Sequence, residues 1–232
     1  MEKQWYLRDR EFFSKDFEAQ KKRFLEAAVR KVFQKGDIIF LEGEIADRCH
    51  YVASGVVRTF NADDSGRDSV VFLRREGEMF GLAEALSRAP RRASAQALTN
   101  VELFCMPSAD LDRFLAEDYQ MARRVITLLG GRLCHLNDLV SSFATGSVLS
   151  RLAGFLVTLV YEHIADGGEG SPVEVPVRVT QELMASVTGS TQPTISETLQ
   201  RLQQEGVISI ERRKITILNP PQLMAYASIA PD

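Results

Sequence analysis

With 232 residues, 45% apolar and 25% charged, the chain has the composition of one large or two small globular domains, neither disordered nor fibrous. Its longest apolar stretches, such as Leu152 to Tyr161, reach half of the roughly 20 residues a bilayer span needs, and Met1-Glu2-Lys3-Gln4-Trp5 is no apolar signal segment. A soluble, cytoplasmic chain without a membrane partner is expected, and its net charge of −3 does not advertise nucleic-acid binding.

In chain order, residues 9–31 mix Phe12, Phe13, Phe17, Phe24, Leu25 and Val29 with many charges and hold no Gly or Pro, which predicts one or two short amphipathic helices. Short β-rich runs follow at 38–41, 51–52, 56–60, 69–73 and 101–104. Turn signals separate them: Lys35-Gly36-Asp37, Glu42-Gly43-Glu44, Ser54-Gly55, Asp64-Ser65-Gly66 and Glu76-Gly77-Glu78. Strands at this spacing predict an antiparallel sandwich or small barrel. Past Pro107 a short helix is expected over 108–117, with Ser108 as its cap and Asp110 and Asp112 in its first turn.

From Tyr119 to Ala144 there is no proline, and Ile126, Leu129, Leu133, Leu136, Val140 and Phe143 alternate steps of three and four. Such a seam resembles a coiled-coil dimer contact. Gly130-Gly131 weakens the helix, since each glycine costs about 1 kcal/mol against alanine. A helix merely packed on the sandwich would need less than this length, roughly 39 Å, so the seam is assigned to a homodimer. Thr145-Gly146-Ser147 breaks the helix and forms the expected hinge. Val148 to Ile164 is helical again, and 166–172 is a loop.

The most specific segment runs from Thr180 to Leu202. Ala185 supplies the small residue that two sharply crossing helices need, and four residues on, Gly189 permits the positive φ of a tight turn. Six later, Ile195 begins an apolar face continued by Leu199 and Leu202, while Leu183 and Val187 face the same core. This is helix-turn-helix spacing. Thr180 is the expected cap of the first helix, and Pro193 falls in the first turn of the second, where its missing N–H costs little. Thr180, Ser190, Thr191, Gln192, Thr194, Ser196, Glu197, Gln200 and Arg201 form the candidate DNA-contacting set. Residues 206–218 read as two strands around a basic tip, a wing whose Arg212, Arg213 and Lys214 meet phosphates. Against this, residues 147–232 carry six Lys/Arg and nine Asp/Glu.

Sandwich, long helix, hinge and winged helix-turn-helix, in that order, resemble the CRP/FNR family of bacterial transcription regulators. In the first half the likeness rests on Lys35-Gly36-Asp37-Ile38-Ile39-Phe40, Glu42-Gly43-Glu44, Ala46-Asp47, Tyr51-Val52, Ser54-Gly55 and Val57-Arg58. In the second it rests on Gly189-Ser190-Thr191, Thr194-Ile195-Ser196, Leu199 and Glu205-Gly206-Val207-Ile208. The resemblance implies an α+β fold: an N-terminal antiparallel β-roll of the jelly-roll type over 1–118 as effector sensor, a dimerisation helix and hinge over 119–146, and a winged helix-turn-helix over 147–232. It also implies a homodimer bound to a near-palindromic site in double-stranded DNA, with RNA polymerase as a further partner.

The resemblance places an effector near Phe80, Gly81, Leu82, Glu84, Arg91, Arg92 and Ser94, touching Arg132 or Asn137 of the long helix. Cyclic-AMP-binding members carry Gly-Glu and then Arg-Ser here; this chain has Leu82 where that Glu belongs. Gly81 and Ala83 stand where haem-based members ligate through Cys and His, and no cysteine precedes Cys49, so neither haem nor an N-terminal iron–sulfur cluster is expected. The family's 2-oxoglutarate-binding branch is similar at Phe80-Gly81-Leu82, Arg91 or Arg92, and Arg132, but Asn137 replaces its glutamate. A small anion, 2-oxoglutarate-like or a cyclic nucleotide, is the effector class these positions suit. Cys49, Cys105 and Cys134 form no CxxC pair and His50, His135 and His163 are scattered, which predicts no metal and no catalysis; Cys134-His135 is the one redox or metal handle in view. Gln192, Pro193 and Glu197 occupy positions where many members read G·C pairs with charged side chains. The rival from another class is a ligand-sensing dimer that acts through protein contacts without DNA.

Overall fold

The computed structural model describes residues 5–7, 10–62, 68–167 and 170–227. The expected Asp64-Ser65-Gly66 turn, and part of the 166–172 loop, lie outside the described residues. The chain divides into two compact units, Asp9–Gly130 and Gly131–Asp232, the latter joined by the N-terminal residues. The division falls inside one long helix.

In the first unit a 3-10 turn at Lys15–Phe17 leads into α1 (Glu18–Ala27). Eight strands follow: β1 (Val29–Phe33), β2 (Ile38–Phe40), β3 (Arg48–Ser54), β4 (Val56–Ala62), β5 (Asp68–Arg75), β6 (Met79–Phe80), β7 (Ser94–Ala97) and β8 (Val101–Pro107). They form two four-stranded sheets, β1-β8-β3-β6 and β2-β7-β4-β5, antiparallel throughout. Helix α2 (Leu82–Ser87) fills the β6–β7 connection, and α3 (Ser108–Glu117) and α4 (Tyr119–Thr145) follow β8.

Both faces of the first sheet are covered. Val52, Phe80, Val101, Leu103 and Cys105 meet Phe40, Val57, Ala95 and Ala97 of the second sheet. On the other side Cys49, Tyr51, Met79 and Met106 meet Phe12, Phe13, Phe24, Leu82, Leu111, Phe114, Met121 and Val125. Period-2 alternation along β3 therefore sends His50 and Val52 one way and Cys49 and Tyr51 the other.

Two expectations need correction, and one strand was not foreseen. Residues 29–31 are strand rather than helix, because Val29, Arg30 and Lys31 pair with Cys105, Phe104 and Leu103 of β8. Ser108 is not the cap of α3: Pro107 holds that position, and the Ser108 hydroxyl donates instead to the Ala46 carbonyl at 3.3 Å. Strand β7, Ser94-Ala95-Gln96-Ala97, has no β-branched or aromatic residue to announce it; its place between β2 and β4 makes it a strand.

The second unit contains α4 beyond Gly130, then α5 (Val148–Gly167), β9 (Val173–Glu174), α6 (Gln181–Thr188), α7 (Gln192–Gln204), β10 (Ile208–Glu211), β11 (Lys214–Ile217) and α8 (Pro220–Tyr226). Helix α5 runs three residues past the expected Ile164. Strand β9 adds a third strand to the wing hairpin, in the order β10-β11-β9.

Candidate DNA interface and sensor site

The helix-turn-helix is assembled by local chemistry. Thr180 accepts the Leu183 N–H at 3.1 Å and closes the start of α6. Gly189 ends that helix at φ 59°, left-handed, with the Ser190 N–H returning to the Ala185 carbonyl at 2.9 Å. Thr191 caps α7, accepting from the Thr194 N–H, and Pro193 sits in the first turn. Ile195, Leu199 and Leu202 are buried beneath it. Of the two α6 residues expected in this core, Leu183 is buried but Val187 is only half-buried; Met184 and Thr188 fill the interior, the Thr188 hydroxyl donating to the Met184 carbonyl at 2.7 Å.

The outer face of α7 presents Gln192, Glu197, Gln200 and Arg201 exposed, with Ser190, Thr194 and Ser196 half-buried beside them. Arg201 is engaged on its own helix: its Nε donates to Glu205 at 2.8 Å, and Glu205 also accepts from the Tyr226 hydroxyl at 2.6 Å. The two partners, Tyr226 first, hold the Glu205 carboxyl below its ordinary range. At the wing tip Lys214 pairs with Glu174 at 2.7 Å. Arg212 and Arg213 are exposed, at φ 48° and 66°, and have no ion pair among the described residues.

Within the sensor unit the predicted effector residues part company. Leu82 turns into the core beside α3. Ser94 is buried, its hydroxyl accepting the Glu42 N–H at 3.0 Å. Arg92 is exposed and Glu84 half-buried on α2. Arg91 and Gly81 do come together. The Arg91 guanidinium lies 4.2 Å from the Phe40 ring centre and donates to the Gly81 carbonyl at 3.0 Å and to that of Arg48. A side chain at Gly81 would put its Cβ 2.6 Å from Arg91 Nη1, at a backbone φ of +66°, so a substitution there is strained and displaces the guanidinium. Arg91 is 3% exposed and makes no ion pair among the described residues; burial lowers its pKa. Carbonyls and a ring face hold this buried guanidinium, and the charges of Glu84, Asp47 and Glu44 favour its cationic form without an ion pair among the described residues. Arg132 and Asn137 lie on α4 in the second unit.

Sequence reasoning missed His50. Its ring stacks on Phe80, centroids 4.8 Å apart and planes 16° apart, and its Nδ1 is buried without a hydrogen-bond partner among the described residues. A histidine inside the continuous run Cys49-His50-Tyr51-Val52 was the available signal. Burial, reinforced by the Arg91 and Arg48 charges, pushes its pKa down to about 3. The unfolded chain takes up that proton near pH 6.5, so the stability His50 contributes in its neutral form is complete above pH 6.5 and falls as pH drops toward 3. Urea midpoints at pH 7 and pH 5 should show about 2 kcal/mol less acid destabilisation in His50→Phe than in the wild type; equal losses would mean the imidazole is protonated in the fold.

Cys134 is exposed on α4, and no group of three or more His, Cys, Asp or Glu among the described residues is arranged to hold a metal. No helix among them is long and apolar enough to cross a membrane.

A β-roll, a long helix and a capped winged helix-turn-helix are the architecture of a DNA-binding transcription regulator. The family description "Cyclic nucleotide-binding domain" matches residues 30–118 and "Crp-like helix-turn-helix domain" matches 150–226. The chain belongs to the CRP/FNR family of transcription regulators. It is 28% identical over 193 residues to the global nitrogen regulator of Synechococcus elongatus, covering 82% of this chain and 86% of that one. It is 26% identical over 195 residues to the CRP-like cAMP-activated global transcriptional regulator of Mycobacterium tuberculosis, covering 84% and 86%. Among solved structures, a CRP/FNR-family regulator from Thermus thermophilus is similar at 28% identity and TM-score 0.66, over 86% of this chain and 98% of that one. FixK2 from Bradyrhizobium japonicum shares the fold at TM-score 0.75 and 22% identity, over 88% and 99%. These relatives are regulators, and a DNA-independent sensor is not the favoured reading.

Proposed function

We propose that the protein is a homodimer that binds a near-palindromic operator through α7 and the wing, under control of a small anionic effector in the β-roll. The observation that carries the DNA reading is the exposed polar face of α7 behind a fully capped turn, beside a wing tip with two unpaired-charge arginines. Two recognition helices then meet successive major grooves about 34 Å apart. Gln192 suits adenine N6/N7 and Glu197 suits cytosine N4, so an operator read by arginines at G·C pairs is not expected. An effector acts only through a difference in affinity for the two conformations of the hinge. On this reading the domains are 1–118 for sensing, 119–146 for dimerisation and 147–232 for DNA, with RNA polymerase as the downstream partner and the cytoplasm as the site of action.

Selection of bound duplexes from a random pool at low salt, alone and with cyclic AMP, cyclic GMP or 2-oxoglutarate, tests this. A palindromic consensus is the expected result; recovery of nothing from a folded dimer would transfer the protein to the class of sensors without DNA. For the effector, Arg91 is the anion receptor. Any ligand that raises the melting temperature of the wild type should lose at least tenfold in affinity with Arg91→Gln, because a neutral amide forfeits a charge-assisted pair worth about 1.5–3 kcal/mol. Unchanged affinity would move the ligand elsewhere.

A further inference from the structure

Arg151, on the first turn of α5, was singled out by neither composition nor motif, yet its guanidinium joins three pieces of the DNA-binding unit. Its Nη1 donates to the Gly146 carbonyl at 2.8 Å and its Nε donates to the Thr188 carbonyl at 2.8 Å. Its Cζ lies 5.1 Å from the centre of the Phe143 ring. Gly146 is in the two-residue link between α4 and α5; Thr188 is the last residue of α6, immediately before the helix-turn-helix turn. Phe143, assigned by spacing to the dimer seam, has its ring edge 2.9 Å from where a Cβ of Gly189 would stand. The link itself is tight: the Gly146 N–H donates to the Ser142 carbonyl at 2.8 Å, and a Cβ on Gly146 would come within 2.5 Å of that oxygen.

We propose that Arg151 is a positioning residue for operator binding, fixing the recognition-helix turn to the end of α4 and to the hinge. This rests on the DNA-binding reading above. The chemistry requires arginine: two carbonyls on different segments are bridged by donors at fixed separation in one plane, whose face is stacked on an aromatic ring. A lysine ammonium is a point donor with a flexible stem and cannot hold both carbonyls and the ring at once. The Thr188 carbonyl ends α6 and the Gly146 carbonyl lies in the link between α4 and α5, so neither is part of a helical ladder. Rotation at the hinge therefore has to carry the turn with it for as long as the guanidinium is seated.

The test compares wild type, Arg151→Lys, Arg151→Met and Phe143→Leu on the duplex recovered by selection and on the same duplex with one arm scrambled. A half-site reports only whether the helix-turn-helix is folded; the full site also demands the correct placement of two recognition helices. Arg151→Lys is expected to keep half-site affinity within threefold while losing at least thirtyfold on the full site, with Phe143→Leu changing in the same direction by less. Equal losses on both duplexes, or no loss on either, would overturn the proposal. Hydrogen exchange without DNA separates this from failure of the DNA reading. The Gly146 and Ser190 amides should exchange at least tenfold faster together in Arg151→Lys, with those of Val207 and Leu218 unchanged. A uniform increase, or none, would leave Arg151 with no positioning role.

Discussion

Leu133→Glu combined with Val140→Glu is expected to leave a folded monomer that binds the selected operator about 10²–10⁴-fold more weakly than the wild type. Ile126, Leu133 and Val140 are each about seventy per cent exposed, and Leu136 follows the same stripe. Large apolar side chains at heptad spacing on one helix face mark an interface, because water would otherwise meet them at a cost of ~25 cal/mol per Å². Leu129 is half-buried against the core of the first unit, whereas Phe143, beside Arg151 and Gly189, stays 49% exposed, more than Leu136 at 37%. On the proposed dimer reading, Ile126, Leu133, Leu136, Val140 and Phe143 meet a second copy. Like charges facing each other across that contact prevent pairing, and the second half-site then no longer benefits from an effective concentration in the millimolar range. Sedimentation reads the oligomeric state and binding at fixed salt reads the loss. A double variant that stays dimeric would place the dimer contact on another surface.

What the sequence reveals of this protein follows how local the chemistry is. Thr180, Gly189, Thr191 and Pro193 act on backbone groups within four residues of themselves, so the helix-turn-helix is readable at the level of single positions. The wing hairpin is readable for the same reason. Strands β2 to β5 and β8 show themselves through β-branched runs, but Ser94-Ala95-Gln96-Ala97 becomes a strand only because β2 and β4 flank it. Similarly, Val29–Lys31 continues an amphipathic pattern until pairing with β8 claims it. The sensor site is the least legible part. Phe40, His50, Phe80, Gly81 and Arg91 come from separate places along the chain, and their meeting depends on the register of two sheets. The resemblance to the family pointed to Gly81 and to Arg91 or Arg92 as effector residues; it gave no hint that Leu82 faces the core or that a neutral histidine stacks on Phe80 beside the Arg91 charge.

Replacing the wing tip, Arg212→Asn with Arg213→Gly, should stabilise the fold and weaken DNA binding at the same time. Glu211 pairs with Lys214 across β10 and β11, so Arg212 and Arg213 are the two central residues of a two-residue hairpin loop. Both have positive φ, 48° and 66°, the geometry of a type I′ turn. Asn-Gly adopts that turn freely, whereas a side chain with a Cβ and longer pays roughly 1–2 kcal/mol for a left-handed conformation. Relief of even 1 kcal/mol corresponds to a melting temperature higher by about 4–8 °C in a unit of this size. A sequence that keeps two arginines where local preference asks for Asn-Gly retains them for something other than folding. In a half-chain carrying six Lys/Arg and nine Asp/Glu, with Lys214 committed to Glu174 and Arg201 to Glu205, these two guanidinium groups are the wing-tip cations without an ion pair among the described residues. Each phosphate neutralised contributes about 0.9 to the slope of log affinity against log salt, so the double variant should flatten that slope by about 2 per protomer. The discriminating result is the pair of signs: a stabilised protein whose salt slope is unchanged would mean the wing never touches the backbone, and the strain at its tip would serve some contact other than DNA.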